Sequence, residues 1–212
     1  MKKKDLKLYI IYGINGCGKL DVALKMADRL EKKGKKVLIT RESRILMYLL
    51  GIIDEFDAVS VITKEKYKIL ENTHPLIIKN IYKKEYKKFV DDQIHKHDAV
   101  IMLSHLVYAL YIDKDTVEYL TDFEIPEWLI NQSRCILNVQ PESQAILSKR
   151  VDITNFTSDE LNLSIKDIKI HKKYCDERWA WLMKQYPNSQ FMTLKNNSSE
   201  GLIKKILQDV DN

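Results

Sequence analysis

Five short apolar runs, 8–12, 36–40, 98–103, 134–139 and 190–194, divide the 212-residue chain, and each is apolar almost throughout instead of alternating with polar residues. Runs of that length without a period of two predict strands covered on both faces, the pattern of a parallel sheet. Between them the apolar positions recur at helical spacing, which predicts helices over 21–33, 43–50, 105–120, 126–133, 142–150, 167–185 and 198–210. A longer helical stretch, 64–95, is broken at His74-Pro75, because proline lacks an N–H and turns the residue before it away from the helical region. Strands alternating with helices predict an α/β fold, a five-stranded parallel sheet with helices on both faces. In such sheets ligands sit at the carboxyl ends of the strands. No internal repeat or low-complexity linker interrupts the pattern, so residues 1–212 are expected to form one domain.

The first run opens directly onto the densest glycine stretch of the chain. Three of the six glycines, Gly13, Gly16 and Gly18, lie in Gly13-Ile14-Asn15-Gly16-Cys17-Gly18-Lys19-Leu20. This matches the phosphate-cradling pattern G-x-x-x-x-G-K-[ST] everywhere except the last position, which is leucine. Backbone N–H groups converge on phosphate oxygens only where no Cβ intrudes, hence the glycines. A helix starting at Lys19 adds unpaired N–H groups and the positive end of its dipole. Lys19 is expected to reach the β- and γ-phosphates of a triphosphate, with the amides of Gly13, Asn15, Gly16, Cys17, Gly18 and Leu20 around it. Leu20 keeps its amide but offers no oxygen to a metal. Cys17 reads as a small filler rather than a nucleophile.

Composition narrows the remaining classes. Hydrophobic residues at 45% and charged residues at 31% are ordinary globular values. The apolar runs are too short to span a bilayer and charge recurs through the first residues, so a cytoplasmic protein without membrane contact is expected. Cys17, Cys135 and Cys175 are odd in number and far apart, giving neither a disulfide framework nor metal-ligand spacing. Net charge is +5, but each lysine cluster has acidic neighbours, which reads as solvated helix faces and not as a nucleic-acid surface. His95-Lys96-His97 stands at a helix end, where cationic residues are favoured, and no metal site is assigned to it. Trp179 and Trp181 lie about half a turn apart, so one is expected in the core and the other over a neighbour.

Three stretches carry a family likeness. Tyr12-Gly13-Ile14-Asn15-Gly16-Cys17-Gly18-Lys19 is similar to E-G-x-D-G-S-G-K-[ST], and Gly34-Lys35-Lys36-Val37-Leu38-Ile39-Thr40-Arg41-Glu42-Ser43 to G-x-x-V-x-x-T-R-E-P. Leu137-Asn138-Val139-Gln140-Pro141-Glu142 is similar to L-D-x-x-P-E. With the polar loop before a terminal helix, the chain resembles the nucleoside monophosphate kinases, and most closely the thymidylate kinases, over nearly its whole length. The resemblance implies a P-loop NTPase fold and a role in nucleotide biosynthesis, with ATP as phosphoryl donor and a nucleotide as small-molecule substrate. Mg²⁺ would then be held largely through phosphates and water, with help from Glu42. It places Lys19 on the transferring phosphoryl, Arg41 and Glu42 at the acceptor site, and Arg150 among the lid arginines, with residues 150–160 as the lid. A homodimer through the helices flanking the third strand is also implied, and 103–111 is apolar enough for it.

The departures from the family pattern define the open question. Asp-Arg-[Tyr/His] after the third strand becomes Ser104-His105-Leu106, in which Ser104 can hold a metal-bound water and a protonated His105 a phosphate. Neither is a permanent guanidinium fork. Asn15 removes a carboxylate, and Leu20 a metal ligand. Three functions remain: a nucleotide kinase, a kinase of another acceptor such as a nucleoside, and a nucleotide-binding protein without efficient turnover.

Overall fold

The fold is that of a computed structural model, which describes residues 6–14, 17–60, 62–104, 127–140 and 165–195. In chain order the elements are β1 (Leu8–Tyr12), α1 (Lys19–Glu31), β2 (Val37–Arg41), α2 (Glu42–Leu49), α3 (Lys64–Glu71) and α4 (Pro75–Ile81). A π turn (Tyr82–Tyr86) runs into α5 (Lys87–Lys96), followed by β3 (Ala99–Ser104), α6 (Glu127–Gln132), β4 (Ser133–Gln140), α7 (Ile165–Gln185) and β5 (Phe191–Lys195). The five strands form one parallel sheet in the order β2-β3-β1-β4-β5.

Every residue of β1 and β3 is buried. Successive strand residues face opposite sides, so both faces of the sheet centre are covered, which is why these runs lack polar alternation. Helix α1 buries Val22, Ala23, Met26, Ala27 and Leu30 and leaves the Lys32–Asp28 pair in solvent. It ends at Gly34 (φ 74°), where Gly34 N–H donates to Glu31 O and Lys35 N–H to Leu30 O, a left-handed glycine stop.

The strands fall within a residue or two of their expected limits, and the helix break falls at Pro75. The π turn was not expected. Ile78 and Tyr86 are both fully buried, yet eight residues put them about 80° out of phase on a regular helix. The wider turn brings both inward, leaving the Tyr86 hydroxyl 3.4 Å from Met102 Sδ. At the sheet edge, Asp57 bridges antiparallel to Thr40 and Ala58 N–H donates to Ile39 O at 2.9 Å. That short return of chain covers the open side of β2.

Candidate phosphate-binding and acceptor site

The carboxyl ends of β2, β3 and β1 stand in a row. Register pairs Arg41 with Leu103 and Tyr12 with Ser104, so Glu42, Ser104 and Tyr12 stand level at the ends of neighbouring strands about 4.8 Å apart, with Gly13 the next residue on. From this row β1 releases the glycine-rich loop. Gly13 has φ 145°, and a Cβ there would lie 2.6 Å from Val139 O and 2.8 Å from Cys17 Sγ. Only glycine permits that approach of the loop to β4. Gly18 is left-handed (φ 93°) and turns the chain into α1. Cys17 is fully buried and fills the space under the loop, as its size suggested.

Lys19 does not project into open solvent. Its Nζ donates to Gly13 O at 2.6 Å and Ile14 O at 2.8 Å, clasping the loop from which it arises. Burial holds its ammonium below the ordinary lysine range, and the Arg41 guanidinium adds repulsion. Leu20, which replaces the hydroxyl residue of the pattern, packs against the core.

The ends of β2 and β3 contribute side chains instead. Glu42, the first residue of α2, is buried at 5% exposure. The fully buried Ser104 hydroxyl donates to Glu42 Oε2 at 2.5 Å. Arg41, at the strand end, keeps a buried Nε with no hydrogen-bond partner among the described residues. Two cations within Coulomb reach, one with an unanswered N–H, form a local field that favours an anion.

Sequence reading did not single out Arg44. It is buried, donating through Nη1 to Asp57 O at 2.7 Å and through Nη2 to Ser60 O. Asp57 in turn accepts from the Val59 and Ser60 amides at 2.9 and 2.8 Å. Burial works against its charge, yet these bonds and the Ser60 hydroxyl hold its carboxyl below the usual range. Arg44 therefore shapes the return of chain beside β2. No signal in the sequence distinguishes it from an exposed helical arginine.

Tyr12 and Trp179 form the second unanticipated contact. Trp179 is the buried member of the tryptophan pair, and its ring stacks on Tyr12 with centroids 5.5 Å apart. The Tyr12 hydroxyl donates to Cys175 O at 2.8 Å, so α7 is fastened to the residue preceding Gly13. Burial pushes the Cys175 thiol up to about 11 and the Cys135 thiol to about 12, which suits packing and not nucleophilic chemistry. Trp181 is exposed at 41%, lying 4.3 Å under the Arg178 guanidinium.

Asn15, Gly16, His105 and Arg150 lie outside the described residues, as do the expected lid 150–160 and all but the first two residues of 103–111. His95 and His97 face their own helix through contacts to Asp91 O and Gln93 O. The described donor set fits a triphosphate: a glycine turn, a helix start and two cations. It also fits a hard cation, because Glu42 and Ser104 are oxygen donors beside the loop.

Among the described residues no helix is long and apolar enough to cross a membrane. No protein-family description and no curated protein matches the chain. Among solved structures, it is similar to the shikimate kinase of Bacteroides thetaiotaomicron, with a TM-score of 0.50 and 10% identity over 98% of this chain and 99% of that one. Taken with the all-parallel sheet and the loop at its strand ends, that likeness makes this an α/β fold of the P-loop kinase kind.

Proposed function

We propose that the chain is an ATP-dependent kinase of a small molecule, resembling thymidylate kinase, that moves the γ-phosphoryl of ATP to a nucleoside monophosphate. The observation that carries this reading is the loop itself, with Gly13 seated against β4 and Lys19 poised above its carbonyls. On binding, Lys19 exchanges those two carbonyls for phosphate oxygens, which favour its charged form. An acceptor oxygen then bonds to the γ-phosphorus while the bond from that phosphorus to the β–γ bridging oxygen breaks, and ADP leaves. Lys19 and Arg41 offset charge on the transferring group, the main need of such a reaction. Mg²⁺, when bound, neutralises the phosphates further.

One observation favours a second reading, an acceptor with no phosphate of its own. Ser104 occupies the place of the acceptor-phosphate arginine's neighbour and donates a hydrogen bond to Glu42, while the buried Arg44 is committed to backbone carbonyls. A nucleoside or similar hydroxyl compound needs no arginine fork there. A coupled assay with ATP, Mg²⁺ and panels of nucleosides and monophosphates separates the readings. Turnover with monophosphates alone supports the first, and with nucleosides alone the second. Tight ATP binding with no turnover on any acceptor refutes both and leaves a nucleotide-binding protein.

A further inference from the structure

Lysine clusters that are separate in sequence meet at one end of the sheet. The described connections into β1, β2 and β3 are 6–7, 32–36 and 97–98, and these three strands are neighbours. They hold five lysines, Lys7, Lys32, Lys33, Lys35 and Lys36, against one carboxylate, Asp98. Lys2, Lys3 and Lys4 precede the first of them in the chain. At the opposite end of the strands, the return of chain beside β2 carries Asp54, Glu55 and Asp57. The cationic surface therefore lies away from the glycine-rich loop, and steering of a nucleotide toward that loop does not account for it. We infer that this end of the sheet docks electrostatically on an anionic lipid surface, with the glycine-rich loop facing away from it.

The lysines are open to such a surface. All of 31–36 is exposed, and no ion pair among the described residues engages Lys35 or Lys36. Lys32 pairs with Asp28, but a pair so exposed contributes little and leaves the ammonium open to an outside anion. Lys7 Nζ donates to His97 O at 3.0 Å, which fastens the start of β1 to that of β3. Asp98 is used within the fold, accepting from the Lys36 amide at 2.9 Å. That bond, with Lys35, Lys7 and His97 nearby, holds its carboxyl below the usual range. Residue type favours lipid over nucleic acid. The three connections contain no arginine, and Arg134, near the start of β4, is buried, so they present no guanidinium fork to phosphates or base edges. They contain no Phe, Tyr or Trp on which a base could stack. Compact lysine charges in a row, with strands about 4.8 Å apart, suit a diffuse layer of headgroups. The expectation of no membrane contact rested on spanning segments, which surface adsorption does not require. Five-residue strands are about 16 Å long, twice the screening length of about 8 Å at physiological salt, so the docking face does not depend on what the loop binds.

The test is co-sedimentation of the full chain with vesicles of phosphatidylcholine alone and with vesicles of equal parts phosphatidylcholine and phosphatidylserine. Binding is expected to the anionic vesicles only, and to fall steeply as salt rises. Near such a surface each lysine contributes about fivefold, so Lys35→Gln combined with Lys36→Gln should weaken partition about 25-fold. Asp98 accepts from the backbone amide of Lys36 and not from its side chain, so this variant is expected to fold as the wild type does. No binding by the wild type, equal binding to the neutral vesicles, or wild-type partition by the variant overturns the inference. So does complete release of the protein from the vesicles by a duplex or single-stranded oligonucleotide at equal phosphate concentration, which assigns the face to nucleic acid.

Discussion

The two halves of the site are made of different material. From Gly13 to Lys19 the work is done by backbone: a left-handed glycine, a close approach to Val139 O and a lysine closed onto its own loop. At the ends of β2 and β3 it is done by side chains from separate strands, with Ser104 on Glu42 and Arg44 on the carbonyls of Asp57 and Ser60. A backbone cradle needs few residue identities, but needs them absolutely. A side-chain assembly tolerates substitution of its parts, so it can drift toward another acceptor while the cradle stays.

Substitutions should expose this contrast. The largest effect is expected for Gly13→Ala, which forces a side chain into φ 145° and to within 2.6 Å of Val139 O. Strain and overpacking together cost about 2–5 kcal/mol, read as a lower urea midpoint. A midpoint equal to wild type would mean the cradle is not glycine-dependent. Next, Lys19→Ala should weaken triphosphate binding by about 2–3 kcal/mol, the worth of a charge-assisted bond, and unchanged calorimetric affinity would remove the loop from the mechanism.

The pH dependence sharpens the same point. Burial lowers the pKa of Lys19 in the free protein, and a bound polyphosphate favours its charged form. Binding at alkaline pH must then take up protons, and affinity must fall as pH rises through the free-state pKa. Calorimetry in two buffers of different ionisation enthalpy measures that uptake, and zero uptake contradicts it.

On the side-chain half, Arg44→Leu should cost about 1–3 kcal/mol by leaving the Asp57 and Ser60 carbonyls without their donors, while metal-free triphosphate affinity stays at wild type. A loss of that affinity would show that the two halves are coupled. The smallest effect is Tyr12→Phe, which removes the bond to Cys175 O and should cost about 1 kcal/mol. Thermal melting of the variant is the check, and no shift would mean that the Trp179 stack alone fastens α7.

Much of the backbone half was legible in the order of residues alone. Apolar runs without alternation announced a sheet covered on both faces, and Gly13, Gly18 and Lys19 announced the loop, because left-handed turns and helix starts restrict residue type locally. The π turn was not legible, since the re-phasing of Ile78 and Tyr86 answers to β3, far away in sequence. Nor was Arg44, whose partners lie thirteen and sixteen residues further on.

What the chain determined by itself was therefore the order of its elements and the glycine turn that leads β1 into α1, both consequences of short-range sterics and periodicity. The strand order β2-β3-β1-β4-β5 was decided only by packing in three dimensions, and with it the meeting of Ser104 with Glu42, sixty-two positions apart. Such a pair leaves no local trace, because its hydrogen bond exists only once two strands lie side by side.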